Sequence, residues 1–262
     1  PNMFCTTEDL FTQTIVVPYL IPMLENAGAT VFTPRERDWQ KNETVVDNDD
    51  KTKLPYYTEI NVNRKWRDAG IKGFAASGRP YNDTTNPFKE GTTRMTEASP
   101  ASECEISYQP RFAEEGRYAV YVSYPTHEKS IPDARYTVYH KGQRTTFSVN
   151  QRMGGGTWVY LGTFEFDKGC NTSNRVVLTN ASAYQGVVTA DAVRFGGGMG
   201  LIARNGKTSG LPKCLEGARY YAQWAGAPAS VYRAKDGADD YKEDIYARPY
   251  MTNWLAGGSC FS

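Results

Sequence analysis

The residues best suited to binding chemistry are aromatic side chains within residues 116–195. Sugar rings carry C–H groups that pack on aromatic faces, while neighbouring amide and guanidinium groups satisfy the sugar hydroxyls. Tyr139, Tyr160 and Tyr184 are the members of this set that we expect at the surface, and we predict them as glycan-binding residues. Trp158 is expected in the core instead.

Two carboxylates suit a structural calcium ion, which takes oxygen ligands. Glu97 lies early in the same region, and Asp191 lies near its end in the run ADAVRF. The two are therefore predicted metal ligands, and calcium is the candidate cofactor. An Asp191 that is held by hydrogen bonds or an ion pair is the alternative.

The histidines do not supply a recognisable catalytic set. The chain has two, His127 and His140. His140 alternates with Tyr136 and Val138 along one predicted strand, which favours a packed histidine over a general base. No Ser-His-Asp or Cys-His arrangement is present at a known order or spacing. The charged run at residues 35–38 is either a functional site at a strand end or an ion-pair network that fixes a loop.

The cysteines exclude two kinds of site. No two of them form a CxxC pair, so a zinc ribbon and a thioredoxin-like motif are both excluded. Their odd number leaves at least one thiol without a partner inside the chain, and their spacing does not select the pairs. The five are Cys5, Cys104, Cys170, Cys214 and Cys260.

Composition narrows the class of protein. Lysine plus arginine, 30 residues, nearly balances aspartate plus glutamate, 29 residues, so no basic field favours nucleic-acid binding. The most apolar stretch, residues 15–24, is short and contains Pro18 and Pro22, so we predict no membrane span. Abundant Tyr, Trp, Asn, Gly and Thr favour a secreted, periplasmic or cell-surface protein. The chain opens on Pro1, which suggests that an upstream segment was removed or is missing.

Short β-strands must position the aromatic residues. The run GRYAVYVSYP alternates between two faces, and ARYTVYHKGQRTTFSVNQ reads as a hairpin with its turn at residues 141–143. The runs GGGTWVYLGTFEF, RVVLTN and GVVTADAVRF follow. At least six strands within residues 116–195 predict an antiparallel β-sandwich or barrel.

In this order, the segments resemble the golvesin C-terminal-like domain, which is also found in proteins named xanthan lyases. The resemblance runs from roughly Met95 to Gly198. It implies a β-sandwich that acts as an accessory module and binds polysaccharide or cell-envelope glycan. It does not by itself imply a catalytic residue.

A second resemblance lies nearer the N-terminus. Apolar residues at helical spacing end at Gly28, two internal prolines predict a kink or two shorter helices, and ATVFTP reads as a buried strand. The run LENAGATVFTPRERD resembles the first helix and second strand of the zinc-dependent N-acetylmuramoyl-L-alanine amidases. That family has a metal-binding carboxylate near the start of this helix, which implies Glu8 here, or Asp9 if the register shifts by one. The family's zinc histidines have no counterpart, so zinc is expected only if residues outside this chain complete the site.

These observations predict an α+β protein of two parts. Residues 1–73 and 199–262 are expected to form the two halves of a split, amidase-like α/β layer. The golvesin-like sandwich and its entry connector, residues 74–198, are then inserted between them.

Several local predictions accompany this division. The polar segment 39–50 ends in three aspartates and an asparagine, and it is expected to be a solvated turn rather than a calcium loop, since the spacing of an EF-hand is absent. Residues 54–73 are expected to contain a helix. Residues 75–93 read as a connector and residues 196–198 as a flexible joint. Residues 239–255 read as a helix.

The favoured function is glycan recognition in support of a polysaccharide- or peptidoglycan-degrading enzyme. The expected partner is therefore a polysaccharide or peptidoglycan, and neither nucleic acid nor a membrane. One alternative is a zinc-dependent hydrolase of the amidase type whose metal histidines lie outside this chain. Another is a structural surface module without a ligand.

Overall fold

The fold is a mostly antiparallel β-sandwich with a few helices. The structure, a computed structural model, describes residues 8–50, 57–76 and 80–257, with side chains from residue 11 onward. The helices are α1 (Glu8–Ile15), α2 (Ile21–Asn26), α3 (Ala218–Trp224), α4 (Ala229–Tyr232) and α5 (Asp240–Leu255). The strands are β1 (Thr44–Val46), β2 (Tyr57–Asn61), β3 (Arg67–Gly73), β4 (Tyr81–Asn82), β5 (Gly91–Glu97), β6 (Cys104–Tyr108), β7 (Gly116–Val122), β8 (Ala134–His140), β9 (Gln143–Val149), β10 (Val159–Phe166), β11 (Arg175–Thr179), β12 (Val187–Ala190), β13 (Val193–Phe195), β14 (Ile202–Arg204) and β15 (Lys207–Thr208).

Three sheets form the sandwich. Sheet 1 has the order β2-β6-β11-β8-β9, sheet 2 the order β1-β13-β7-β10, and sheet 3 the order β12-β5-β3. Sheets 2 and 3 meet where β12 leads into β13. There Ser123, which follows β7, donates its N–H to the carbonyl of Ala192, which lies between β12 and β13, at 2.9 Å. A small fourth sheet, β15-β14-β4, lies outside the sandwich order.

Alternation along the strands creates the main core. In β8, Tyr136 and Val138 are buried and pack with Val120 and Val122 of β7. Val188 of β12 joins the same cluster, so side chains of sheet 1 meet those of sheets 2 and 3. The predicted hairpin is confirmed, since β8 pairs with β9 and the turn residues have the positive φ angles that a tight hairpin turn requires.

A second core covers the other face of sheet 2. Tyr121 of β7 points away from the main core and packs with Trp158, which is buried as predicted. Tyr221 and Trp224 of α3 and Met251 of α5 close this layer. The C-terminal helices therefore shield one face of the sandwich from water. The predicted helix over residues 239–255 is confirmed as α5.

The described residues show no split α/β layer, so this part of the predicted fold class is not supported. The expected strand ATVFTP is absent because residues 30–33 pair with no neighbouring strand. Strands β1, β2 and β3 precede residue 74, yet they pair with β13, β6 and β5 of the sandwich. The expected helix within residues 54–73 is wrong, because its described part forms β2 and β3. The three-segment domain division stays a prediction.

The described parts of the expected connector include strands, and the expected flexible joint makes close backbone contacts. The connector at residues 75–93 contains β4 and the start of β5. The Gly196 N–H donates to the Ala119 carbonyl at 2.8 Å, and a Cβ on Gly197 would lie 2.4 Å from the Asp38 carbonyl oxygen. These glycines permit a close backbone approach, so they do not form a flexible joint.

The prolines near the N-terminus divide the helical segment as predicted. A π-helical turn with Pro18 separates α1 from α2, and Pro22 stands in the first turn of α2. Phe11, Tyr19 and Met23 are exposed on this segment. None of the described helices combines the length and hydropathy that crossing a membrane requires.

Three of the charged residues at positions 35–38 form ion pairs, which was one of the two predicted outcomes, and Asp38 accepts backbone hydrogen bonds. Glu36 accepts from the Arg194 guanidinium at 2.6 Å and from the Tyr121 hydroxyl at 2.5 Å. Both Glu36 and Arg194 are fully buried. Arg37 pairs with Glu25, and Arg35 lies 3.5 Å from Asp244 of α5.

We predict that Glu36→Gln lowers the free energy of unfolding by about 3 kcal/mol. Removing one member of a buried pair leaves an uncompensated charge, here that of Arg194. Urea denaturation followed by circular dichroism measures the loss. Glu97→Gln is the matched control, because the exposed pair of Glu97 with Arg67 should contribute less than about 1 kcal/mol. Equal losses in the two variants would contradict this prediction.

Candidate functional site

The three predicted glycan-binding tyrosines lie in different places. Tyr139 points outward from sheet 1, with the Arg175 guanidinium carbon 4.1 Å from its ring centre. Tyr160 lies on the opposite side of the sandwich, on the outer face of sheet 2, with the Arg37 guanidinium 3.7 Å from its ring centre. The structure therefore does not bring these two together.

Tyr184 lies in the loop before β12 and is 53% exposed. Its N–H donates to the Ser182 hydroxyl at 2.9 Å, and the Ser182 hydroxyl donates to Asp133 at 2.5 Å. The loop is thus fixed, and the ring is accessible. Its predicted role in glycan binding stays a prediction.

The predicted calcium ligands are also separated. Glu97 stands opposite Val187 in the β5–β12 ladder. Val187 precedes Asp191 by four residues, so roughly 13 Å of extended chain separate Asp191 from the position opposite Glu97. Glu97 is exposed and pairs with Arg67 at 3.0 Å. The fully buried Asp191 accepts from the Phe74 N–H and the Ser123 hydroxyl. Asp191 is therefore held by hydrogen bonds, which is the alternative given above.

No metal centre is evident in the described part of the chain. It holds no group of three or more His, Cys, Asp or Glu residues that could bind an ion. Glu8 begins α1, but its side chain lies outside the described ones. Its predicted role as a zinc ligand therefore stays a prediction.

The histidines and described cysteines do not converge on a catalytic arrangement. His127 Nδ1 accepts from the Lys129 N–H at 3.0 Å, and His140 Nε2 lies 3.1 Å from the Thr145 hydroxyl. Burial lowers the pKa of His140, which favours the neutral imidazole. Cys104 and Cys214 are buried free thiols whose pKa values burial raises. Cys5 and Cys260 lie outside the described residues.

One buried carboxylate, Asp47, lies in the segment that was predicted to be a solvated turn, and a second, Asp191, interacts with it electrostatically. Asp47 is only 2% exposed, and it accepts from the N–H groups of Asp49 and Ala76. Burial raises the pKa of Asp47 to about 7. Burial and the neighbouring charge of Asp47 also raise the pKa of Asp191 well above its usual range. The prediction of a solvated turn is wrong for Asp47.

Trp39 is the aromatic residue that the sequence reasoning missed. It is 54% exposed, whereas Trp66, Trp158 and Trp224 are at most 5% exposed and Trp254 is partly buried. In the sequence it stands among charged and amide residues, outside the strand-rich region. The sequence feature that could have indicated its exposure is a single tryptophan within a run of polar residues.

The backbone around Trp39 is fixed on both sides. Asp38 accepts from the Ala119 N–H of β7 at 2.7 Å and from the Gln40 N–H at 3.0 Å. The Gln40 carbonyl accepts from the Gly198 N–H at 2.8 Å. The turn is thus attached to the sandwich on either side of an exposed indole.

Trp39 borders a depression of about 690 Å³. Its lining residues combine an indole face with amides and both signs of charge, and together we call them the Trp39 surface: Asp38, Trp39, Gln40, Lys41, Asn42, Glu114 and Arg117. This volume falls within the usual range of ligand-binding clefts. The arrangement suits stacking of a sugar ring with polar contacts at its rim.

Comparison with known proteins identifies the sandwich. The family model described as Golvesin C-terminal domain matches residues 67–197, half of the chain. This chain belongs to the Golvesin C-terminal domain family. Glu114 and Arg117 of the Trp39 surface lie inside the matched residues of this Golvesin C-terminal domain, and Trp39 precedes them.

Relatives of the Golvesin C-terminal domain include parts of larger proteins. A xanthan lyase of Bacillus sp. (strain GL1) is 33% identical over 90 residues, which are 34% of this chain and 10% of that protein. This chain thus spans about a tenth of the curated relative's length. The solved Paenibacillus xanthan lyase is similar with a TM-score of 0.44 and 22% identity, over 59% of this chain and 13% of that one.

Another similar solved structure is the C-terminal CBM6 of LamC, a laminarinase from Zobellia galactanivorans. The TM-score is 0.34 and the identity 14%, over 59% of this chain and 99% of that one. A family 35 carbohydrate binding module from Clostridium thermocellum gives a TM-score of 0.33 at 14% identity, over 59% and 97% of the two chains.

We predict that the titration of Asp47 lowers the free energy of unfolding of this chain as the pH rises. Its pKa of about 7 in the folded chain exceeds the value of about 3.9 in an unfolded chain. The folded state therefore binds a proton that the unfolded state has released, and the stability present below about pH 4 is lost as the pH rises through 7. In Asp47→Asn this contribution is absent.

Urea denaturation of both proteins at pH 4, 6 and 8 tests this prediction. We expect the difference in unfolding free energy to move in favour of Asp47→Asn by roughly 2 to 4 kcal/mol across this range. A difference that does not vary with pH would contradict the prediction.

Proposed function

We propose that this chain recognises a polysaccharide or cell-envelope glycan with the Trp39 surface, as an accessory module of a glycan-degrading enzyme. The accompanying enzyme acts on polysaccharide or peptidoglycan. A secreted, periplasmic or cell-surface location belongs to the same proposal.

The observation that carries the proposal is an exposed indole on a fixed turn beside a depression lined by polar side chains. A pre-ordered aromatic face loses little conformational freedom when a ligand binds. Lys41 and Arg117 are exposed at its rim, where they can donate hydrogen bonds to sugar hydroxyl or carboxylate oxygens. These features together suit a saccharide better than a wholly apolar ligand.

The family relationship supports the proposal. The curated relative at 33% identity is named a xanthan lyase. The chain matches only a small part of that protein, which is consistent with an accessory role.

The tyrosines are weaker candidates than Trp39. One face of Tyr139 is occupied by the guanidinium of Arg175, and one face of Tyr160 by that of Arg37. Tyr184 has the most accessible ring of the three and serves as a comparison. The alternative of an amidase-type hydrolase has no supporting observation among the described residues.

We predict that Trp39→Ala weakens glycan binding by about thirtyfold. Truncating an aromatic residue at the centre of an interface can cost about 2 kcal/mol or more. The whole chain is titrated with acidic bacterial exopolysaccharide fragments and with peptidoglycan fragments, and tryptophan fluorescence and NMR amide shifts report binding. Because the Trp39 side chain is exposed, the variant should keep the wild-type melting temperature.

Two further variants make this test specific. Trp39→Phe should retain part of the affinity, and Tyr184→Ala should bind like the wild type. Loss of binding in Tyr184→Ala with retention in Trp39→Ala would move the site to the loop before β12. An absence of binding to every glycan would favour the structural module without a ligand.

A further inference from the structure

We infer that the Trp39 surface prefers an acidic glycan, whose carboxylate groups are held by Lys41 and Arg117. This inference rests on the proposed function and names the ligand class for the same site. It depends on which charges of the Trp39 surface are accessible.

The two cations are accessible. Lys41 and Arg117 are exposed, and neither makes an ion pair with another described residue. Gln40 Nε2 lies 3.4 Å from the Arg117 carbonyl oxygen, so Arg117 stands directly beside the Trp39 turn. A guanidinium can bind a carboxylate through two parallel hydrogen bonds, which gives both orientation and charge selection.

The carboxylates at the same place are less available. The two oxygens of Asp38 accept from the Ala119 and Gln40 N–H groups, so they face the protein backbone. Burial also raises the pKa of Asp38. Glu114 remains as the exposed acid of the surface, so two accessible cations meet one accessible anion.

Nearby acids outside the surface do not reverse this balance. Glu115 and Glu165 both approach the Lys141 ammonium, at 3.9 Å and 3.6 Å. Glu165 stands opposite Arg117 in the β7–β10 ladder, yet its contact in the described residues is with Lys141. A ligand stacked on Trp39 therefore meets a net positive rim.

The test compares two probes of equal length on the whole chain, tetragalacturonate and cellotetraose. The acidic probe should bind more tightly, and its affinity should fall as the salt concentration rises because exposed charges are screened. Lys41→Gln and Arg117→Gln should each weaken binding of the acidic probe by about two- to fivefold, which corresponds to the free energies of exposed ion pairs. Neither change should alter binding of the neutral probe.

A variant that is expected to bind the acidic probe more tightly gives a more specific test. Glu114→Gln removes the competing carboxylate and should raise the affinity for the acidic probe by about two- to fivefold. Arg144→Gln is the matched control, because it removes an exposed cation from β9 in sheet 1, away from the Trp39 turn on sheet 2. It should leave both probes unaffected.

The outcomes distinguish this inference from the proposed function. If both probes bind equally, and the charge variants change neither, the preference for acidic glycans is wrong. If Trp39→Ala then still weakens binding of both probes by about thirtyfold, the proposed function stands without that preference. If Trp39→Ala leaves all binding unchanged, the proposed function fails as well.

Discussion

A buried ion pair between Glu36 and Arg194 joins the segment before β1 to the sandwich. Burial alone would raise the pKa of Glu36, but the charge of Arg194 and the hydrogen bond from Tyr121 outweigh it, so that pKa is lowered. The Arg194 guanidinium also lies 3.8 Å from the centre of the Tyr121 ring. Glu43 extends the network to Lys213 at 2.7 Å, which ties in the C-terminal tail. Three distant parts of the chain thus depend on one charged cluster, because none of its charges can be left unpaired in the interior.

This cluster holds the segment that contains the Trp39 turn at both of its ends. Residues 36 and 43 are anchored by charge, and the segment between them has little freedom left. Backbone hydrogen bonds from Ala119 and Gly198 then set the direction of the turn. A binding surface that is ordered before its ligand arrives loses less entropy on association.

Three buried acids, Glu36, Asp47 and Asp191, show two opposite kinds of behaviour. Glu36 faces a guanidinium and keeps its charge. Asp47 and Asp191 have no cation beside them in the described part of the chain and accept from backbone N–H groups or a hydroxyl, so burial dominates, raises their pKa values and favours their protonated forms. The partner of each carboxylate, rather than its residue type, decides whether it strengthens or weakens the fold as the pH changes.

The amino-acid sequence by itself determined the sandwich strands and the β8–β9 hairpin. These features follow from local alternation and turn chemistry, which a short run of residues already contains. It also determined the two helical pieces around Pro18, because a proline inside a helix removes a backbone hydrogen bond and crowds the preceding turn, although α5 continues through Pro249.

Only the tertiary structure decided which segments pair and which side chains stay exposed. Strands β1 to β3 join the sandwich because β13, β6 and β5 have edges available for pairing. A local sequence pattern does not indicate partners that are so distant in the chain. The residue types of Glu97 and Asp191 predict ligands of one metal ion, but the β5–β12 register separates them. Trp39 was overlooked because its exposure depends on contacts with β7 and Gly198. Exposure and convergence are properties of residues far apart in the chain, so they arise only when the whole fold has formed.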